Sequence, residues 1–118
     1  MYEVIIYETS AGVKPLRKYL KNLSKQHKEE NVIRIMAMIK DLEEFGFGLK
    51  EKDKYAIKPI GNQIYELRPI PSRIFFFHHV GDTFVLLHGF EKKCNKTPQS
   101  EIIKAEKERD DYIKRYGK

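Results

Sequence analysis

The hydrophobic period of this chain changes near Tyr55, and that change governs what its 118 residues can build. Before it, apolar side chains recur at helical spacing. Leu16, Tyr19, Leu20 and Leu23 form one run. Val32, Ile35, Met36, Ile39 and Leu42 form a second, after the polar break Ser24-Lys25-Gln26-His27. Pro15 is tolerated in a first helical turn, and Gly46 and Gly48 close the second run. Beyond Tyr55 the pattern is strand-like: Ala56 to Ile60, Ile64 to Pro69, Arg73 to Val80 and Thr83 to Lys92. Gly61-Asn62 and Gly81-Asp82 supply turns, and Pro71-Ser72 a break, so these strands are expected to pair antiparallel as a meander. A further strand, Tyr2 to Tyr7, opens the chain and stops at Ser10-Ala11-Gly12. Thr97-Pro98 reads as a cap followed by proline at the first helical position. The charged helix that follows, Ser100 to Tyr116, carries a thin docking stripe of Ile102, Ala105, Tyr112 and Tyr116. The order strand, helix hairpin, strands, helix predicts an α+β fold with helices packed on a small antiparallel sheet.

Composition narrows the class. With 41% hydrophobic residues spread along the chain and no Pro/Gly/Ser-rich linker, residues 1–118 are expected to form one domain rather than a disordered segment. The longest apolar runs, Ile74 to Phe77 and Thr83 to Leu87, fall far below the ~20 residues that span a bilayer, and the first residues lack a signal-peptide pattern. A cytoplasmic location without membrane contact is expected. Cys94 is the one cysteine, which excludes an intrachain disulfide and Cys-rich zinc sites; no activating neighbour marks it as reactive. The formal charge is +6, and the excess concentrates in residues 92–118, with nine cations against five acids. That bias suits a polyanionic partner, most simply nucleic acid, as well as a plain solubilising surface.

No Walker A loop, GxGxxG, HExxH, GxSxG or DxDxDG pattern occurs, so neither a cofactor nor a metal is expected. His78 and His79 are strand neighbours and point to opposite faces, which is poor geometry for a shared ion. What remains is a polar set inside hydrophobic strands. Glu66 shares a face with Arg68, and His88, Phe90 and Lys92 share a face on the last strand. Paired arginines suit a phosphodiester, because each guanidinium is a permanently charged planar fork. Lys92, Lys93 and Lys96 add charge beyond the last strand. The bland readings are that Arg68 and Arg73 pair with Glu66 and Glu91, that His88 is a hydrogen-bonded core residue, and that Lys104, Lys107, Lys114 and Arg115 form a solvated helix face.

Ile64-Tyr65-Glu66-Leu67-Arg68-Pro69, Ser72 to Phe77, Val85 to Lys93, Asn95-Lys96-Thr97-Pro98 and Glu101 to Ala105, in that order and spacing, resemble the phage-derived Gp49-like branch of the HigB/RelE toxins. The resemblance implies the RelE-like fold and the toxin of a type II toxin–antitoxin pair. Such a toxin is a metal-independent endoribonuclease, an mRNA interferase that cuts messages in the ribosomal decoding site. Its partners would be the ribosome, mRNA and a helix-turn-helix antitoxin of the HigA kind, with operator DNA met only through the antitoxin. In the family's terms Arg68 and Arg73 match the sheet arginines, Lys92 and Lys93 match the basic pair after the last strand, and Lys96 and Thr97 fall where RNA would pass. Better-known relatives carry lysine where Glu66 and Ile64 stand here, so their general base does not transfer. Glu66, His88 and ribosomal RNA remain alternative proton acceptors. Beside the toxin stand two other readings: a non-enzymatic module binding RNA or protein, and a ribosome-independent ribonuclease.

Overall fold

The computed structural model describes residues 1–93 and 95–117; Cys94, read above as chemically idle, and Lys118 lie outside the described residues. The strands are β1 Glu3–Ile6, β2 Ile57–Gly61, β3 Ile64–Leu67, β4 Ser72–His78 and β5 Thr83–Glu91, in one sheet ordered β1-β5-β4-β3-β2. The helices are α1 Pro15–Lys25, α2 Glu29–Phe45, the single turn α3 Leu49–Lys52 and α4 Gln99–Tyr116. This is the α+β arrangement expected, and it is compatible with the RelE-like fold. β2 to β5 form the antiparallel meander read from the turns. The periodicity assigned no partner to the first strand. In the structure β1 lies parallel to β5, from Glu3 opposite Thr83 to Ile6 opposite Leu86, so it closes the sheet edge after the whole helix hairpin has crossed over.

Two apolar layers sandwich the sheet. Leu16 and Leu23 of α1 and Ile35 and Leu42 of α2 pack on Ile74, Phe76, Phe84 and Leu86, all of them buried. On the opposite face Phe75, Phe77, Val85, Leu87 and Phe90 meet Ala105 and Tyr112 of α4. Each such side chain taken fully out of water contributes roughly 1.5–3 kcal/mol, which makes these two layers the main stabilising term. Strict alternation along β5 would not produce this division. Phe75 pairs with His88 while Phe76 pairs with Leu86, so Leu87 is an extra residue, a β-bulge. The bulge shifts the phase, and Val85, Leu87, His88 and Phe90 all serve the face under α4.

α4 departs from the sequence reading at both ends. Its N-cap position is Pro98 with no side-chain cap, so Thr97 is not the cap expected of it; its hydroxyl donates instead to Glu66 Oε2 (3.1 Å). The buried face is Ala105, Glu108 and Tyr112, with Ile102 half-buried, whereas Tyr116 is 62% exposed and does not dock. So thin an apolar stripe is supplemented by polar ties. The Tyr7 hydroxyl donates to Asp111 Oδ2 (2.6 Å), and Arg115 donates to the same oxygen (2.8 Å) and to the Glu8 carbonyl. The Asn62 amide donates to Glu106, Arg109 to the Asn62 carbonyl, and His79 Nε2 to the Gly117 carbonyl (2.6 Å). Lys104, Lys107 and Lys114 are exposed, as a solvated face requires. Among the described residues no helix is long and apolar enough to cross a membrane.

Two outcomes follow from this packing. A Cβ on Gly89 would lie 2.7 Å from Ile74 Cδ1 and 2.8 Å from Tyr19 Cδ2, both in the packed layer beneath α1. Gly89→Ala is therefore expected to cost about 1–3 kcal/mol in chemical denaturation. Burial first, and the bond to Asp111 second, push the Tyr7 phenol up from 10.0 to about 12. A raised pKa contributes stability that is fully present below pH 10.0 and is lost as pH climbs through about 12. Asp111, held below the carboxylate range by Tyr7 first and Arg115 second, contributes above that range and loses its share as acid protonates it. Asp111→Asn should bring the Tyr7 titration back toward 10.0, read by phenolate absorbance against Tyr7→Phe.

Candidate active site

On the α4 face, β3, β4 and β5 align their polar residues in two transverse rows. Arg73 stands opposite Phe90 in the outer row, and Arg68 follows directly on the end of β3. In the inner row Glu66 partners Phe75, and Phe75 partners His88. Beyond the strand ends Arg68, Arg73, Lys92, Lys93 and Asn95 line an open cleft of about 400 Å³. The four cations singled out in the sequence thus come together. Lys96 and Thr97 follow in the loop that leads to α4, Lys96 exposed and Thr97 half-buried, and neither lines the cleft.

The walls of the cleft are fixed from several directions. The Arg68 backbone N–H donates to the Ala56 carbonyl (2.9 Å), which holds the chain where β3 ends before Pro69. Ser72, next to Arg73, shares a 2.7 Å hydrogen bond with the Tyr19 hydroxyl of α1. Glu91, next to Lys92, accepts from Lys28 Nζ (3.1 Å), so this acid is the partner of the hairpin and not of the arginines. The helical period placed Tyr19 in an apolar run but gave no sign that Tyr19, Ser72 or Lys28 supports this site, because each acts across a long stretch of sequence; Asn95 follows β5 in a loop, where no period applies.

Glu66 is the acid that the arginines face. It is completely buried, with Oε1 3.6 Å from Arg68 Nε and 3.5 Å from Arg73 Nε. These lengths exceed a well-formed hydrogen bond, so the contact is Coulombic. Arg73 also donates Nη1 to the Ser72 carbonyl (3.1 Å). Its pKa is depressed, by burial first and by the neighbouring Arg68 in addition, with Glu66 opposing both. An anion placed in the cleft would relieve that electrostatic stress.

His88, the other acid–base candidate, is sealed in the inner row. Nδ1 lies 2.6 Å from Glu108 Oε1 and Nε2 lies 2.9 Å from Glu101 Oε1. A neutral imidazole donates from one nitrogen only, so bridging two carboxylates takes two protons shared among the three groups. Because the acids sit on opposite edges of the ring, they do not converge as ligands; among the described residues no group of three His, Cys, Asp or Glu side chains is arranged to hold a metal. Sequence reading missed Glu101 and Glu108. They were legible on the helical wheel, where Glu101, Ala105, Glu108 and Tyr112 share one side, but the docking stripe was read from apolar and aromatic residues alone.

Removing the ring leaves two carboxylates facing a void, one of them buried. His88→Ala should lower stability by about 2–3 kcal/mol in denaturant titration. The cleft does not include His88, so affinity for a short RNA should hold near the wild-type value at temperatures where the variant is folded.

A comparison with curated proteins found no match. Residues 18–110, from α1 through most of α4, match the family model described as Phage derived protein Gp49-like (DUF891), and the chain belongs to that family.

Proposed function

We propose that this protein is the toxin of a type II toxin–antitoxin pair, a metal-independent endoribonuclease that cuts mRNA at the ribosome in the cytoplasm and is silenced by a helix-turn-helix antitoxin. The observation that carries this reading is the composition of the cleft: two arginines, two lysines and an asparagine, with no carboxylate or imidazole among the described lining residues. RNA scission without a metal proceeds through attack of a ribose 2′-oxygen on the adjacent phosphorus and departure of the 5′-oxygen. The phosphorane formed on the way carries extra negative charge. Arg68, Arg73 and Lys92 would stabilise it, and the exposed Lys93 is placed to supply the proton that the leaving oxygen takes. The cleft offers charge and no ordinary base. Activity is therefore expected on messages held by the ribosome, where the surrounding RNA completes the site, and not on free RNA.

The test is inducible expression with mRNA ends mapped over time. Expression should arrest growth and create ends inside translated regions, and co-expression of a neighbouring helix-turn-helix reading frame should restore growth. Arg73→Ala should slow cleavage about 10²–10³-fold, the usual loss for one stabilising donor. Lys93→Gln should lower the slope of log affinity against log salt by about one phosphate contact. Normal growth with intact messages at verified expression overturns the enzyme reading. The burial of Glu66 between both arginines favours the second reading, a binding module whose ion pairs are architectural; that reading predicts RNA binding in the cleft with no new ends. Cleavage of purified RNA would instead mark a ribosome-independent ribonuclease.

A further inference from the structure

We propose that Glu66 and Thr97 form a brace that sets the two cleft arginines, so that Glu66 is a positioning residue and not the proton acceptor. This rests on the phosphodiester reading of the cleft given above. The geometry of the carboxylate supports it. Oε1 lies between Arg68 Nε (3.6 Å) and Arg73 Nε (3.5 Å), and Oε2 accepts the Thr97 hydroxyl (3.1 Å). Oε2 is hydrogen-bonded, Oε1 makes no hydrogen bond but is held by charge between the two guanidinium groups, and the side chain is wholly buried, whereas a base must come within hydrogen-bond reach of the proton it takes. Glu66 is also absent from the residues that line the cleft.

The manner of the contact matters as much as its presence. Glu66 approaches each guanidinium at Nε and does not itself occupy the Nη groups; Arg73 Nη1 gives one proton to the Ser72 carbonyl, and the remaining Nη protons of the two arginines can meet an anion. Two guanidinium groups crowded at one cleft repel each other, and a buried carboxylate behind them holds both without occupying the cleft. Thr97 fixes that carboxylate from the α4 side. It precedes Gln99, where α4 begins, and α4 is pinned to the same transverse row by the contacts of Glu101 and Glu108 with His88. The arginine spacing is thus set jointly by β3, β4 and the entry to α4. Thr97 was expected to touch RNA; its hydroxyl is spent on Glu66 instead.

The experiment compares Thr97→Val, Thr97→Ser and Glu66→Gln on the full chain. Its primary readout is ¹⁵N relaxation of the Arg68 and Arg73 Nε–H groups, which reports side-chain order on the ps–ns scale without requiring catalysis. Thr97→Val keeps the shape and removes the hydroxyl; it should loosen both arginines and lower kcat about tenfold or more with KM for programmed ribosomes unchanged. Thr97→Ser should restore both properties. Glu66→Gln should reduce kcat further while the acid limb of the pH–rate profile keeps its position. Loss of that limb in Glu66→Gln would make Glu66 the base and overturn the proposal, as would arginine order unchanged in Thr97→Val. If Glu66→Gln does not fold, the Thr97 pair decides alone. Should the wild type cleave nothing, the toxin reading falls, and the relaxation data with binding of a 2′-deoxy, uncleavable RNA analogue still decide the brace: looser arginines and weaker binding in Thr97→Val support it, and no change in both overturns it.

Discussion

One extra residue in β5 decides which side chains lie beneath α4. With strict alternation, Val85 and Leu87 facing α4 would send His88 and Phe90 toward the helix hairpin and turn Gly89 and Glu91 toward α4. The bulge at Leu87 cancels that outcome. His88 and Phe90 join Val85 and Leu87 on the α4 face, and Gly89 turns to the hairpin, where Tyr19 fills the space a side chain would need. The inner row of Glu66, Phe75 and His88, the docking of Glu101 and Glu108, and the pairing of Arg73 with Phe90 all depend on this single change of phase.

Beneath α4 the protein buries charge that an apolar interface would omit. Glu66, Arg73, His88 and Glu108 are all at most 8% exposed. Buried ion pairs seldom add much net stability, because desolvation offsets the attraction, but they penalise every alternative register in which a partner is lost. α4 illustrates the point. Ala105 and Tyr112 alone give a narrow apolar contact that tolerates sliding, and the His88 bridge to residues two turns apart on the helix does not. The helix is held by apolar packing at its centre and by specific polar ties near both ends, from Thr97 just before it to Glu66 at one and to Tyr7 and His79 at the other.

Much of this was legible in the chain because the signals are local. The turn residues and the two hydrophobic periods located the hairpin and the meander, and the face-sharing of alternate residues placed Arg68 beside Glu66 and His88 beside Phe90. What escaped was non-local or out of phase. β1 joins β5 in parallel across 80 residues of sequence, Glu3 to Thr83, and no spacing encodes that. The bulge at Leu87 has no glycine or proline marker of its own in a run of five buried residues, Phe84 to His88. Thr97-Pro98 carries the local signature of a capped helix start, yet a fully buried carboxylate nearby is the stronger claimant for the hydroxyl, since an acceptor left unpaired in the interior costs more than a helix end left to water. At the candidate site, the grouping of the four cations was anticipated. Which acid they face, and that Glu91 is taken by Lys28, required the fold.

The placement of Glu66 reconciles two demands that conflict on an open surface. A cleft meant for a phosphodiester needs several cations close together, and their repulsion must be balanced in the unliganded protein. A carboxylate among them at the surface would do so, and would then compete with every incoming phosphate. One layer down, beneath the guanidinium groups and shielded by Phe75 and Thr97, the same charge still attracts both arginines but presents no oxygen to the cleft. Arg73 remains less comfortable than a free arginine, its pKa depressed by burial and by Arg68 despite Glu66. That residual imbalance favours an arriving anion, so the cleft is held together well enough to fold and left positive enough to bind.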